Sequence, residues 1–202
     1  PAFPSSGKIT LRNLLAQNSG LRDYINNDWK QLSMISSSEL TAENIISITA
    51  SKPLFYTPNY KFHYSNTNYL ILGAIVQKVS GMDYYAYLKK YIFDPLGMKN
   101  TGPAYSGGQD NYAAVGYQMS SGYLPTVDSE GNFIWGQEHY NSDKLLMATY
   151  GAGGLCSTVE DLYLWDRALY TDELLSAQYR EMMFSQQVQI GGGDAYGFGW
   201  RI

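Results

Sequence analysis

The chain has 202 residues, of which 45% are hydrophobic and 16% are charged. This length suits one ordinary domain, which buries roughly 70% of the surface that its unfolded chain exposes. Fourteen basic and eighteen acidic residues leave a net charge of -4 without any basic run, so we expect no nucleic-acid partner. One cysteine and two histidines exclude an internal disulfide and a standard structural zinc site, and no apolar run is long enough to span a membrane. We therefore expect no metal, no cofactor and no membrane span in this chain.

Helical patterns dominate the first half of the chain. Apolar residues at helical spacing predict helices over 9–16, 41–52 and 67–80. The third of these has the widest apolar stripe, and Gly81 is expected to end it. A further helix follows, and we expect it to stop at Pro95.

The second half of the chain combines short extended segments with two more helices. Segments rich in tyrosine and glycine favour a surface hairpin or a long excursion over 123–135. Ser157 and Glu160 fit a capping box that opens a helix, and another helix is predicted over 173–184. The three glycines at 191–193 are expected to connect the strands of a second hairpin.

Two sets of residues invite a functional assignment but have a simpler structural explanation. Ser5 and Lys8 have the Ser-x-x-Lys spacing of an activated serine, yet a glycine interrupts the spacing and the helix begins only afterwards. We interpret that segment as a loop. His63 and His139 have no partner at metal-ligand spacing, and we expect His63 to be packed and hydrogen-bonded.

The pattern Tyr-x-Asn occurs twice, at Tyr24-Ile25-Asn26 and at Tyr64-Ser65-Asn66. The second copy stands at the start of the strongest predicted helix, where the helix dipole and the surrounding structure can hold a phenol oxygen in place. A tyrosine with an ordinary pKa near 10 needs neighbouring cations if it is to act as a base at neutral pH. An asparagine two residues later can offer its amide to a substrate carbonyl and bridge to a lysine.

Several blocks of the chain follow one another in a recognisable order. They read ITLRNLL at 9–15, YSNTNYLILG at 64–73, IFDPLGM at 92–98, GAGGLCST at 151–158 and YGFGW at 196–200. As a set these blocks resemble the serine β-lactamase and penicillin-binding protein family. The branch that they resemble most contains class C β-lactamases, D-alanyl-D-alanine carboxypeptidases and related esterases.

The resemblance implies a fold as well. In that family a helical subdomain is inserted between two halves of an α/β sheet domain, and this chain corresponds to the helical part with some flanking strands. We therefore expect residues 1–202 to form a single fragment, truncated at both ends, of a β-lactamase/transpeptidase-like domain, with a mainly α-helical α+β fold. The family's helical Ser-x-x-Lys and its Lys/His-x-Gly motif fall outside the matching segments, so Tyr64-Ser65-Asn66 represents one active-site motif of three.

The activity that the resemblance implies is hydrolysis of an amide, ester or β-lactam carbonyl through an acyl-enzyme. Tyr64 would be the general base and then the acid that protonates the leaving group, while Asn66 would hold the acyl-side amide of the substrate. The isolated fragment is expected to be inactive and prone to self-association. Family members directed at the cell wall act outside the cytoplasm, which favours a cell-envelope or secreted protein.

Three other residues of the matching region are expected to have no direct part in the chemistry. Gln17 stands where a histidine is common in the family. Gly153 and Gly154 are expected to allow tight backbone packing and not to contact the substrate. The alternative function is that of a member without turnover, which binds peptidoglycan, a peptide or a protein partner, and these residues do not separate the two.

Overall fold

The computed structural model describes residues 6–104, 126–127, 133–134 and 148–202. Their helices are α1 (Leu11–Leu15), α2 (Trp29–Leu32), α3 (Ala42–Ala50), α4 (Asn66–Ser80), α5 (Tyr84–Leu88), α6 (Asp94–Leu96), α7 (Val159–Ala168) and α8 (Ala177–Phe184). Wider π-helical turns span Tyr24–Asp28, directly before α2, and Lys89–Phe93, between α5 and α6. Short 3-10 turns cover Ser6–Lys8 and Ser37–Glu39.

The strands of the described residues pair as antiparallel two-stranded ribbons. β1 (Gly102–Pro103) pairs with β4 (Leu155–Cys156), β2 (Thr126–Val127) with β3 (Phe133–Ile134), and β5 (Val188–Gly191) with β6 (Asp194–Tyr196). The β2–β3 pairing confirms the predicted hairpin in the part of it that the structure describes. Gly191 ends β5, and Gly192 and Gly193 connect it to β6; all three glycines have positive φ. A mainly helical α+β fold is therefore confirmed.

The hydrophobic core forms where α4 packs against α3 and the π-helical turn before α2. Leu70 of α4, Ile45 of α3, Leu32 of α2 and Tyr24 are fully buried there. Each aliphatic side chain of this size contributes roughly 1.5–3 kcal/mol when it is buried. Because α4 also contacts α1 and α5, it is the element around which the described helices are arranged.

The predicted bounds of the long helices are confirmed with small shifts. The strongest predicted helix, 67–80, is α4, and Gly81 ends it in the left-handed conformation with φ 67°. The helix predicted over 41–52 is α3, and the Thr41 hydroxyl caps it by accepting a hydrogen bond from the Asn44 N–H at 3.2 Å.

The expected stop at Pro95 is wrong. The chain continues from α5 through the π-helical turn into α6, and Pro95 lies in the first turn of α6, a position where proline is tolerated. The helical run ends at Gly97, which takes a left-handed conformation with φ 74°.

Two helix starts near the end of the chain also differ from the prediction. The cap of α7 is Thr158 and not Ser157, because the Thr158 hydroxyl accepts a hydrogen bond from the Asp161 N–H at 3.2 Å. The last predicted helix, 173–184, begins only at Ala177. Local capping accounts for the first difference, whereas no side-chain hydrogen bond among the described residues caps the start of α8.

Candidate active site

The motif Tyr64-Ser65-Asn66 lies at the N-terminus of α4, as the sequence predicts. Ser65 is the N-cap residue and is fully buried, and Asn66 is the first residue of the helix. The Tyr64 side chain is 52% exposed. An accessible phenol and a half-buried amide therefore stand two residues apart at one helix end.

The loop that precedes the first π-helical turn packs against this helix end. The side chain of Gln17 connects the loop to the helix. The Gln17 Oε1 atom accepts hydrogen bonds from the Ser65 N–H at 2.9 Å and from the Asn68 side-chain amide. Gln17 is 1% exposed and has a left-handed backbone with φ 58°, a conformation that is uncommon for residues other than glycine. The side chain of Gln17 thus holds the middle residue of the motif, which the sequence analysis did not anticipate.

Further buried hydrogen bonds join the same loop to the first turn of α4. The Ser65 hydroxyl donates to the Arg22 carbonyl at 3.0 Å, and the Thr67 hydroxyl donates to the same carbonyl. The Tyr24 N–H donates to the Thr67 hydroxyl at 3.1 Å. Because buried polar networks are rigid when their members are all paired, this network fixes the loop against the helix start.

Asp23 lies beside Asn66 and was not singled out from the sequence. Its side chain is 2% exposed, and its two carboxylate oxygens accept hydrogen bonds from the Asn66 Nδ2 atom at 2.9 and 3.2 Å. The Asn26 Nδ2 atom donates to the same carboxylate at 2.6 Å. The asparagines of both Tyr-x-Asn copies therefore meet at one buried carboxylate.

The first Tyr-x-Asn copy is structural. Tyr24 is fully buried in the core, and its hydroxyl donates a hydrogen bond to the Ala148 carbonyl. Burial raises the pKa of Tyr24, and the nearby Asp23 carboxylate raises it further. A protonated phenol inside the core has no access to a substrate, so exposure distinguishes the two copies where the sequence pattern does not.

Two other tyrosines close to the helix start are partly buried and stay protonated at neutral pH. The Tyr69 hydroxyl donates to the Leu15 carbonyl at 3.0 Å, and it lies 3.1 Å from where a Cβ atom on Gly199 would stand. The ring of Tyr196 packs against Phe62 with 5.1 Å between the ring centroids. Burial is the largest cause of a raised pKa at both Tyr69 and Tyr196. The block at 196–200 thus packs alongside the start of α4.

The close packing expected at Gly153 occurs at a different glycine. A Cβ atom on Gly151 would lie 2.6 Å from the Tyr69 carbonyl oxygen, and one on Gly73 would lie 3.1 Å from the Gly151 Cα atom. At Gly153 the nearest atom would be 3.8 Å away, an ordinary contact, so the expectation was wrong there. Gly154 has φ 72°, a turn conformation that favours glycine.

The expectation for His63 is confirmed in part. Its ring packs edge-on against Phe55 and Tyr56, with centroid distances of 5.4 and 5.5 Å. The buried Nδ1 atom, however, has no hydrogen-bond partner among the described residues. His139 and Ser5 lie outside the described residues, and Lys8 ends a short 3-10 turn.

No group of three or more histidine, cysteine, aspartate or glutamate side chains in the described part of the chain could hold a metal ion. No helix in the described ranges is both long enough and apolar enough to cross a bilayer.

Comparison with known proteins places this arrangement in context. Penicillin-binding protein 4* of Bacillus subtilis (strain 168) is 34% identical over 211 residues, which cover 99% of this chain and 44% of that protein. The crystal structure of D-amino acid amidase from Ochrobactrum anthropi SV3 complexed with L-phenylalanine is similar with a TM-score of 0.78 and 26% identity, over 98% of this chain and 56% of that one.

A third similar structure is the octameric penicillin-binding protein homologue from Pyrococcus abyssi, with a TM-score of 0.68 and 27% identity. It is matched over 100% of this chain and 45% of its own. The chain thus spans about half the length of the relatives that it matches. The family model described as Beta-lactamase matches residues 1–202. The chain belongs to the Beta-lactamase family.

Proposed function

We propose that the protein to which this chain belongs is a serine hydrolase that acts through an acyl-enzyme on an amide, ester or β-lactam carbonyl. The observation that carries the proposal is the placement of Tyr64 and Asn66 at the start of α4, one exposed and the other held by a buried carboxylate. The similarity to a penicillin-binding protein and to a D-amino acid amidase supports an amide carbonyl within this class.

In the proposed reaction, a serine from outside the described residues attacks the substrate carbonyl carbon. Its oxygen bonds to that carbon, the bond from the carbon to the leaving nitrogen or oxygen breaks, and Tyr64 transfers the serine's proton to the leaving group. Water then hydrolyses the acyl-enzyme and regenerates the serine. Asn66 binds the acyl-side amide of the substrate during both steps.

Two cations of the segments next to the motif, Lys61 and Arg22, are held against aromatic rings. Lys61 lies over the ring of Tyr56 at 4.1 Å, and Arg22 lies over the ring of Phe55 at 4.5 Å. Each of these cations is therefore already engaged with an aromatic ring. A phenol becomes a base only beside cations, so the cation that activates Tyr64 is proposed to be the lysine of the family's Ser-x-x-Lys motif.

The same proposal covers location and assembly. A penicillin-binding protein relative and an octameric homologue support an extracytoplasmic protein, at the cell envelope or secreted, that can self-associate. Its partners would be small-molecule or peptide substrates that carry the scissile carbonyl.

The proposal is tested on the full-length protein with a reporter penicillin and a chromogenic ester. We expect one covalent adduct on a single serine, found by mass spectrometry, together with ester turnover that the penicillin inhibits. Binding of peptidoglycan peptides without an adduct and without turnover would favour the non-catalytic alternative instead.

A further inference from the structure

We propose that Asp23 is a positioning residue that sets the orientation of the Asn66 amide in the active site. The inference rests on the proposed function, because it assigns a partner to the residue that would bind the substrate. It starts from the 2.9 and 3.2 Å hydrogen bonds between the Asn66 Nδ2 atom and the two Asp23 oxygens.

An ionised carboxylate accepts hydrogen bonds and donates none. An amide side chain, in contrast, has one accepting end and one donating end. Asp23 therefore holds the Nδ2 end of Asn66 against itself and turns the Oδ1 end away. The site then meets the Asn66 carbonyl oxygen, which suits an N–H donor on the acyl side of the substrate or an ammonium group, and not the substrate carbonyl that the sequence suggests as its partner. An amide flip of Asn66 would place its oxygen against the carboxylate, which is repulsive.

The position of Asp23 is itself fixed by its surroundings. Its Oδ1 atom accepts a hydrogen bond from the Ile25 N–H at 2.9 Å, so it caps the π-helical turn that begins at Tyr24. Its own N–H donates to the Asn27 Oδ1 atom at 3.2 Å. A buried and hydrogen-bonded support of this kind keeps a binding side chain close to its productive geometry.

Asp28, at the end of the same π-helical turn, provides a matched control. It is also 2% exposed, and it accepts a hydrogen bond from the Lys52 ammonium at 2.5 Å. None of the hydrogen bonds found for Asp28 involves Asn66. Asp23→Asn and Asp28→Asn thus make the same chemical change at equal burial, and only the first touches the proposed substrate-binding residue.

The kinetic test compares two acyl donors in the full-length protein, one with an acyl-side amide and one plain ester without it. Asp23→Asn should lower kcat/KM for the amide-bearing donor at least about tenfold, as expected for a lost charged hydrogen bond, mainly through KM. The plain ester should change by no more than about twofold. Asp28→Asn should lower thermal stability but leave the ratio between the two donors unchanged. Equal losses on both donors, or the same ratio change in Asp28→Asn, would overturn the positioning role.

A second experiment, on thermal stability, does not require turnover. Thermal midpoints are measured for Asp23→Asn, Asn66→Ala and the double variant, and for the corresponding set with Asp28→Asn. The losses should be less than additive in the first set and additive in the second, and additivity in both would overturn the contact itself. If the wild-type protein turns over neither donor, the proposed function is wrong. The thermal midpoints would still test the contact between Asp23 and Asn66.

If Asp23→Asn does not fold, Asp23→Ser takes its place in both experiments. A serine hydroxyl can still cap the π-helical turn but is too short to replace the carboxylate at Asn66. The same change in donor ratio is expected, and an unchanged ratio in the folded Ser variant would overturn the proposal.

Discussion

At the scale of single residues, burial distinguishes two identical sequence patterns. Tyr24 and Tyr64 each begin a Tyr-x-Asn motif, yet the first is fully buried and the second is 52% exposed. Asp23 joins the two motifs through hydrogen bonds to Asn26 and Asn66. The first copy therefore lies beside the second and is linked to it through Asp23.

The proposed base is tested by Tyr64→Phe in the full-length protein. We expect kcat to fall at least about a hundredfold, the lower end of what a positioned acid–base group contributes. The matched control is Tyr24→Phe, which should keep its kcat but lose about 1 kcal/mol of stability with the hydrogen bond to the Ala148 carbonyl. Turnover at the wild-type level in Tyr64→Phe would refute the assignment.

Gln17 offers a stability test of the loop. Gln17→Ala leaves the Ser65 N–H and the Asn68 amide without their acceptor, so the free energy of unfolding should fall by about 1–3 kcal/mol. Gln17→Gly removes the same acceptor but suits the positive φ, and it should therefore be about 1 kcal/mol more stable than the alanine variant. Urea unfolding measures both, and an alanine variant as stable as the wild type would show that the acceptor is dispensable.

At the scale of elements, α4 carries both the candidate active-site motif and the tightest contact between glycines in the described residues. Its first turn is bound to the loop through Gln17, and its middle packs against Gly151 through Gly73. The start and the middle of α4 are therefore each held by a separate contact.

Gly73→Ala tests the second contact. A helix interior normally gains about 1 kcal/mol when glycine becomes alanine. Here the new Cβ atom would lie 3.1 Å from the Gly151 Cα atom and 3.2 Å from the Tyr150 ring, so overpacking should reverse the sign and destabilise the protein by about 1 kcal/mol. Gly153→Ala, with 3.8 Å of space, is the control and should be close to neutral. A stabilised Gly73→Ala variant in a thermal melt would contradict the close contact.

At the scale of the whole molecule, the chain combines one family motif with exposed apolar side chains. Val159 and Tyr163 of α7 are 80% and 62% exposed, and Tyr170 just after the helix is 75% exposed. Exposed apolar surface of this kind favours association. Lys8, the lysine of the Ser-x-x-Lys spacing, ends a 3-10 turn and does not lie on an α-helix.

We therefore predict that residues 1–202 alone do not become acylated by a penicillin and do not hydrolyse an ester. Acylation requires a nucleophile with an adjacent activating group, and the geometry at Lys8 does not provide one. Mass spectrometry after incubation with a reporter penicillin is the measurement. A stoichiometric adduct on any serine would show that the chain contains its own nucleophile.

The same chain is expected to self-associate in solution through its exposed apolar side chains. Sedimentation velocity over a range of concentrations should show a weight-average mass that rises above the 22.6 kDa of the monomer. A chain that stays monomeric at all concentrations would contradict the prediction.

The sequence by itself determined the mainly helical class, the course of α4 and its end at Gly81, and the position of Tyr64-Ser65-Asn66 at the start of that helix. These features depend on local periodicity, on glycine in a left-handed conformation and on blocks of residues that occur in a recognisable order. Local patterns predicted the helix ends near Pro95 and Ser157 less well. The first helical run ends at Gly97, and Thr158 caps α7.

Only the tertiary structure decided which groups surround the motif. Asp23 and Asn66 are 43 positions apart in the chain, and Gln17 and Ser65 are 48 apart, so no periodicity connects them. Their hydrogen bonds exist because the core around Leu70 and Tyr24 brings the loop against the start of α4 and excludes water from it. Under those conditions each buried donor must find an acceptor within the fold, and the partners are set by geometry.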